Sequence, residues 1–297
     1  MKSLIRKITD KVAHLVAPTP TTPWDAESLN QQVQLSLTNQ WSQWRAARCS
    51  PYATIREAGF RCYSEFEEDG IILYLLTMLG IDAGTVAEMC CGAGHECMAT
   101  NLILNHGYKG FLFDGSATNI ATAKAFFSSK KDCRLIKPEV VHAWITTDSV
   151  NNLLADSGCP KEVDFFSLDM DGNDYWVWEA ITAINPKVCC FETHDIIPSD
   201  KRLTIPYDPS FNCWDKPPAL RDFRSVSLAA MVALGKRKGY RMVGSHRHGF
   251  NVFFVRNDIG TDLFPEISIR EVHDNPWTKH GQSERWQVVK DLGWVEV

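Results

Sequence analysis

From residue 85 onward, short apolar runs alternate with segments whose apolar positions recur every three or four residues. The runs predict strands, and the periodic segments predict amphipathic helices. Because the strands are apolar along most of their length, the pattern predicts an α/β fold with a mostly parallel sheet covered on both faces. We expect strands near 85–90, 110–114, 134–141, 163–169 and 187–192, and helices near 97–106, 117–129, 148–157 and 174–184.

The alternation stops beyond the fifth predicted strand. Residues 193–225 are rich in proline and aspartate, and an aperiodic segment of this length indicates a lid or a substrate-binding loop. A helix over 227–238 and two apolar runs at 240–244 and 250–255 predict a closing antiparallel hairpin. Residues 258–297 are expected to form a tail packed on the domain.

The N-terminal part predicts a helical extension. Residues 1–16 form a basic amphipathic pattern, which fits either an anionic membrane surface or packing on the body or on a second subunit. A proline-rich linker follows, and a long helix begins with Thr22 as N-cap and Pro23 at the first position. This organisation gives an extension over 1–59, an α/β domain over 60–257 and the tail over 258–297.

Composition narrows the class of protein. The net charge of −5 argues against a nucleic-acid binder, which usually presents a basic face. The ten cysteines include no CxxC pair, so they fit reduced thiols in a cytoplasmic protein better than a zinc site or a disulfide framework. No apolar run approaches the ~18 residues of a membrane span.

The candidate chemistry starts at the first strand. Its end carries Glu88, and Gly92 and Gly94 follow in a turn before a helix, while Asp114 ends the second strand. An acid, a glycine turn, a helix and a second acid match a Rossmann-like half that holds a nucleoside, with the second acid on the ribose. A nicotinamide-linked oxidoreductase is disfavoured, because Cys97 stands where the third glycine of a dinucleotide motif belongs.

Acidic residues also crowd the ends of the fourth and fifth strands. Asp169 and Asp171 share the i, i+2 spacing of Glu192 and His194, and adjacent parallel strands bring both pairs to one edge of the sheet. Carboxylates this close repel one another, so one must be protonated or a cation must lie among them. Asp171 and His194 are the candidate bases for a reaction that removes a proton from an acceptor.

These segments resemble, in order, the FkbM-like family of class I S-adenosylmethionine-dependent methyltransferases. The resemblance covers roughly residues 60–257 and is carried by SEFEEDG (64–70), EMCCGAG (88–94), FDG (113–115), SLDMDGNDYW (167–176) and FNVFFV (250–255). One departure is Cys90, which stands where the family pattern has glycine, so its Cβ is expected to crowd the turn.

The resemblance implies an O-methyltransferase whose acceptor is a sugar or a nucleotide- or lipid-linked precursor in surface polysaccharide biosynthesis. It implies that Glu88, Gly92 and Gly94 hold the methionine part of S-adenosylmethionine and that Asp114 holds the ribose, with Asp169 also beside the cofactor. It further implies a divalent cation, magnesium or manganese, on Asp169 and Glu192, with His194 as a further ligand. The alternative is a non-catalytic Rossmann-like subunit, docked through residues 1–16 on a membrane-associated assembly.

Overall fold

The computed structural model describes residues 23–50 and 52–297. The predicted basic helix over residues 1–16 and the N-cap at Thr22 lie outside this part of the chain. The chain divides into two units with a boundary between Gln40 and Trp41. Helix α1, Pro23–Ala46, runs across that boundary, and the remaining elements belong to the second unit.

The second unit alternates strands and helices as the sequence pattern predicts. Its strands are β1 Thr85–Met89, β2 Lys109–Asp114, β3 Glu139–His142, β4 Phe165–Leu168, β5 Val188–Glu192, β6 Leu203–Thr204, β7 Tyr240–Ser245, β8 Asn251–Arg256 and β9 Val295–Glu296. Its helices are α2 Glu68–Met78, α3 Thr100–His106, α4 Ala117–Ser129, α5 Val150–Asp156, α6 Asp174–Ala180, α7 Leu228–Arg237, α8 Ile269–His273, α9 Pro276–His280 and α10 Trp286–Val289.

Seven of these strands form one sheet in the order β3-β2-β1-β4-β5-β8-β7. The pairs from β3 to β5 are parallel, whereas β8 runs antiparallel to both β5 and β7. This confirms the predicted α/β fold, a mostly parallel, Rossmann-like sheet that an antiparallel hairpin completes. No helix in the described part of the chain is both long enough and apolar enough to cross a bilayer.

The strand order creates a switch point between β1 and β4. From β1 the chain continues to β2 on one side, and from β4 it continues to β5 on the other side. Loops that leave in opposite directions open a crevice at the carboxyl ends of the two strands, which is where doubly wound proteins bind ligands. Cys90 and Asp169 follow these two strands directly, so both lie at that crevice.

Three details differ from the sequence pattern. Strand β3 begins only at Glu139, because residues 131–136 form turns and Pro138 lacks the N–H that a strand interior needs. Val33, an apolar residue of the predicted long helix, is exposed. The C-terminal tail contains short helices, and its strand β9 pairs with β6.

Aromatic packing on one face of the sheet centres on Phe191 of β5. Its ring centroid lies 4.1 Å from that of Trp178, 5.7 Å from that of Phe254 and 6.1 Å from that of Phe166. All four side chains are buried. This cluster ties α6 to β8 and to β4 and β5, the two strands whose ends carry the acidic residues.

We predict that Phe191→Ala lowers the free energy of unfolding by about 3–5 kcal/mol, since a buried ring leaves a cavity when it is truncated. The matched control is Leu135→Ala, because Leu135 is 97% exposed and its truncation should change stability by less than about 0.5 kcal/mol. Denaturant unfolding of both variants measures the difference. Equal losses in the two variants would contradict this account of the core.

Candidate active site

The turn after β1 is built on left-handed backbone at three positions. Cys90 has φ 65°, Gly92 has φ 57° and Gly94 has φ 79°. At Gly94 a Cβ would lie 2.9 Å from the ring of Phe127, so the missing side chain lets the turn pack closely on α4. At Gly92 the backbone N–H donates to Oδ2 of Asp114 at 2.9 Å, which ties the turn to the end of β2.

Cys90 occupies the position where the resemblance expects glycine, and the structure shows how the turn accommodates it. The residue takes the left-handed conformation at a cost of roughly 1–3 kcal/mol, and its half-buried side chain lines the adjoining cavity. Burial, together with the nearby Asp169, raises the pKa of the thiol well above its usual value. The side chain therefore contributes a protonated thiol to the cavity wall, and the turn still closes.

Glu88 is buried and does not line the cavity that lies at the switch point between β1 and β4. Its carboxylate accepts hydrogen bonds from the N–H groups of Met98 (3.1 Å) and Ala99 (2.7 Å) and from the thiol of Cys97 (3.2 Å). Burial raises the pKa of Glu88 to about 7, although these bonds oppose the rise. The structure thus places Glu88 where it holds the segment before α3, and direct contact with a cofactor stays a prediction.

Asp114 does line the cavity. Its Oδ1 accepts hydrogen bonds from the N–H of Ser116 at 2.8 Å and from the side-chain amide of Asn119 at 3.2 Å. Its Oδ2 accepts the single bond from Gly92, so this oxygen keeps a lone pair for a further donor. A fixed carboxylate with one open acceptor position is suited to a hydroxyl group, as predicted for the ribose.

The cavity at the switch point has a volume of about 430 Å³. Cys90, Gly92 and Asp114 line it from β1 and β2, and Asp169 and Asp171 line it from the end of β4. Its remaining lining residues are Gly115, Ser116, Asn119, Trp144, Ile145, Met170, Asn173, Pro209, Phe211, Asn212, Cys213 and Trp214. The crevice therefore brings together acids from two predicted motifs.

The aperiodic segment 193–225 supplies part of the wall. Pro209 accepts a hydrogen bond from Nε1 of Trp144 at 2.7 Å, which fastens this segment to the loop after β3. A Cβ at Gly115 would lie 2.8 Å from the Trp144 ring, so the glycine after Asp114 makes room for the indole. Trp144 could not be identified as a site residue from the sequence, because a lone tryptophan after a predicted strand belongs to no recognisable motif.

Three carboxylates form a cluster beside the cavity. One oxygen each of Asp169, Asp171 and Glu192 can be chosen so that all lie within 4.8 Å of one another. Burial and the charge of Asp171 raise the pKa of Asp169, and burial and the charge of Asp169 raise the pKa of Glu192 well above its usual value. Arg224 forms an ion pair with Asp171, and the nearby acids raise the pKa of its guanidinium.

Two features of the structure bear on the repulsion between these crowded acids. The burial of Glu192 beside Asp169 raises its pKa, and Arg224 supplies a positive charge from segment 193–225. Arg224 was missed in the sequence, because nothing in an aperiodic loop shows which strand end an arginine will reach.

His194 does not join this cluster, contrary to the expected alternation. Strand β5 ends at Glu192, and the chain then turns so that the N–H of His194 bonds to the carbonyl of Val226. The Nε2 atom of His194 lies 2.8 Å from the carbonyl oxygen of Asp222. Burial lowers the pKa of His194 to about 3, so this buried imidazole is neutral and engaged outside the carboxylate cluster.

The SEFEEDG motif organises the loop before α2. Asp69 accepts hydrogen bonds through Oδ2 from three successive backbone N–H groups, those of residues 62–64, at 2.7–2.8 Å. Glu67 accepts from the backbone and side chain of Arg247, and Glu68 accepts from Asn251 at 2.9 Å. These acids are structural, and they pack the loop against the closing hairpin.

Asp174 has a similar structural role. It begins α6 and accepts hydrogen bonds from the N–H groups of Met170 (2.8 Å) and Gly172 (2.9 Å). Burial and the nearby Asp169 raise the pKa of Asp174 to about 7. Its carboxyl group shapes the turn that presents Asp169 and Asp171 to the cavity.

The chain matches no protein-family model and no curated protein sequence. Among solved structures it is similar to the N-terminal domain of EvdMO1 with SAH bound, at 10% identity and TM-score 0.44, covering 73% of this chain and 96% of that one. It is also similar to a putative caffeoyl-CoA O-methyltransferase from Staphylococcus aureus, at 13% identity and TM-score 0.40, covering 76% of this chain and 98% of that one.

A third similar structure is an S-adenosylmethionine-dependent methyltransferase from Clostridium acetobutylicum ATCC 824. The identity is 11% and the TM-score is 0.40, with 62% of this chain and 89% of that chain covered. All three TM-scores are below 0.5. The fold of this chain therefore rests on its own strand order and register.

We predict that Glu88 makes stability fall as pH rises. The group binds its proton more tightly when folded, with a pKa of about 7 against an ordinary value of 4.5, so its contribution is full below pH 4.5 and is lost as pH rises through 7. The difference corresponds to roughly 3 kcal/mol. Urea unfolding of the wild type and Glu88→Gln between pH 5 and pH 8 measures it.

The wild type should lose stability relative to Glu88→Gln across that range, because glutamine does not titrate. Parallel pH profiles for the two proteins would contradict the assigned pKa of Glu88.

Proposed function

We propose that this protein is an S-adenosylmethionine-dependent methyltransferase. The observation that carries the proposal is that Asp114 and the acids Asp169 and Asp171 line one cavity, on either side of the glycine turn at the switch point. Methyl transfer to a hydroxyl group requires a carboxylate that holds the nucleoside of the cofactor and a group that accepts the proton of the hydroxyl. The two walls of the cavity offer these two kinds of group.

The residues of the cavity fit the cofactor. Asp114 keeps an open acceptor position for a ribose hydroxyl, and Gly92 has no side chain to obstruct the approach to the turn. The half-exposed indole of Trp144 offers an aromatic surface for a purine ring. When bound, S-adenosylmethionine supplies a methyl group on a sulfonium for transfer to a nucleophile.

Asp171 is the proposed base. It lines the cavity, and its pairing with Arg224 fixes the orientation of the carboxylate. An oriented carboxylate within reach of an acceptor hydroxyl can take up its proton as the new bond forms. His194, the other candidate base, is left out because its Nε2 is engaged with the carbonyl of Asp222.

The acid cluster also fits a divalent cation. Asp169, Asp171 and Glu192 offer three hard oxygen ligands, the type that magnesium and manganese prefer, although Arg224 already balances part of their charge. We propose Asp169 and Glu192 as ligands, with Asp171 in place of His194. A bound cation would lower the pKa of a coordinated acceptor hydroxyl.

The proposed acceptor is a sugar hydroxyl or a nucleotide- or lipid-linked precursor in surface polysaccharide biosynthesis. This part rests on the FkbM-like resemblance of five motifs in order over residues 60–257. We further propose a cytoplasmic location, based on the ten cysteines without a CxxC pair, together with peripheral membrane contact through residues 1–16 and self-association. The alternative, a non-catalytic scaffold, is less favoured because Cys90 fits the turn.

Calorimetry with S-adenosylhomocysteine tests the cofactor proposal. The wild type should bind it, and Asp114→Ala should abolish binding, because the ribose loses its carboxylate partner. Asp171→Ala should keep binding within about threefold while abolishing turnover, since the base acts on the acceptor. An absence of heat at millimolar ligand in the folded wild type would end the methyltransferase proposal and leave the scaffold as the alternative.

Titration with Mn²⁺ tests the cation separately. We expect Glu192→Gln and Asp169→Asn each to weaken Mn²⁺ binding by at least about tenfold, since each removes a charged ligand. His194→Gln is the matched control and should bind as the wild type does, because His194 lies outside the cluster. If Mn²⁺ fails to bind the wild type, or if the His194 variant is the one that loses it, the proposed ligand set is wrong.

A further inference from the structure

A second cavity lies at one edge of the sheet, against the edge strand β7. Its volume is about 340 Å³, and it shares no lining residue with the cavity at the switch point. The walls come from Ser50 and residues 52–56, from β7 at Val243–Ser245, from the loop 263–267 and from α8. All of these residues belong to the unit that begins at Trp41.

Most of the wall is apolar. Ile55, Val243 and Phe264 are buried side chains, and Leu263 and Ile267 are half-buried. The aromatic residues Tyr52 and Tyr74 complete this surface, together with Ala53 and Pro265. Both the volume and the predominantly apolar lining fall within the range of small-molecule sites.

Arg56 is the cation that lines this cavity, and its charge is not balanced. Within residues 23–50 and 52–297, no carboxylate oxygen lies within 4.0 Å of its guanidinium nitrogens. Its Nε is buried and has no hydrogen-bond partner, and its Nη2 makes only a long bond of 3.4 Å to Oγ of Ser245. A buried guanidinium N–H without a partner is costly, so the donors of Arg56 favour an anionic ligand.

The two acids of the cavity are already occupied and lie at the exposed rim. The carboxylate of Glu271 accepts hydrogen bonds from the backbone and hydroxyl of Ser268 in a capping box. Asp274 forms an ion pair with Lys279. Neither acid balances Arg56, so the interior of the cavity presents positive charge beside an apolar surface.

We propose that this cavity binds a small amphipathic anion, with a carboxylate or phosphate head on Arg56 and an apolar body against Ile55, Val243 and Phe264. The site is separate from the proposed methyltransferase chemistry and does not depend on it. Carboxylate and phosphate ligands of this kind both carry an anionic head on a short hydrocarbon chain. The experiment below distinguishes the two head groups.

Calorimetry on the full chain with four eight-carbon probes tests the proposal. Octanoate and octyl phosphate should bind, octanol should bind at least about tenfold more weakly, and octylammonium should not bind. The tighter of the two anions identifies the head group. Equal affinity for octanol and the anions would overturn the proposal, because the cavity would then not recognise charge.

Two variants locate the site. Arg56→Gln should weaken octanoate binding about ten- to a hundredfold, as expected for the loss of a charged hydrogen-bond donor. Leu263→Trp should also weaken it by filling the cavity while keeping the charge. Arg134→Gln, an exposed arginine before β3, is the matched control and should bind normally.

The affinity for S-adenosylhomocysteine should be unchanged in all three variants, which separates this site from the switch-point cavity. Octanoate binding that survives both Arg56→Gln and Leu263→Trp would place the ligand elsewhere and overturn the proposal. Should Arg56→Gln fail to fold, the probe series on the wild type and on Leu263→Trp still decides the outcome.

Discussion

The site depends on how the turn between β1 and α3 is held. Asp114 accepts the N–H of Gly92 from the side of β2, and Glu88 accepts the N–H groups of Met98 and Ala99. Each of these backbone donors would otherwise be unpaired near the core, at about 1–3 kcal/mol apiece. The two carboxylates therefore fix a left-handed turn that includes a cysteine, and the cavity exists because that turn is fixed.

The second determinant is the charge balance at the end of β4 and β5. Three carboxylates lie close enough to destabilise one another, and the ion pair of Arg224 with Asp171 relieves part of the repulsion. Arg224 comes from the segment 193–225, which also lines the cavity through Pro209 and residues 211–214. One segment of the chain therefore both closes the cavity and balances the negative charge of the acids.

The sequence was sufficient to predict the sheet and the residues that end its strands. Apolar runs, periodic helices and the glycine turn place Asp114, Asp169 and Glu192 at one edge, and the strand order confirms the predicted fold. His194 was misplaced because the alternation of a strand was extended beyond Glu192, where β5 ends.

The remaining site residues could not be predicted for physical reasons. Arg224 reaches the carboxylate cluster from the segment 193–225, and Trp144 reaches the cavity from the loop after β3. Both positions depend on tertiary contacts, which no local pattern encodes. The hydrogen bonds of Glu88 likewise depend on the position of α3 rather than on its own spacing in the motif. The sequence pattern was sufficient to predict the edge of the sheet at which the site lies. Tertiary packing determines which side chains enter the cavity.

The most direct test of this account is a crystal structure of the protein with S-adenosylhomocysteine. The account predicts density for the adenosine in the cavity at the switch point, with the ribose hydroxyls on Asp114 and the sulfur directed toward Asp169 and Asp171. A nucleoside bound away from Asp114, or a sulfur directed away from these acids, would contradict it.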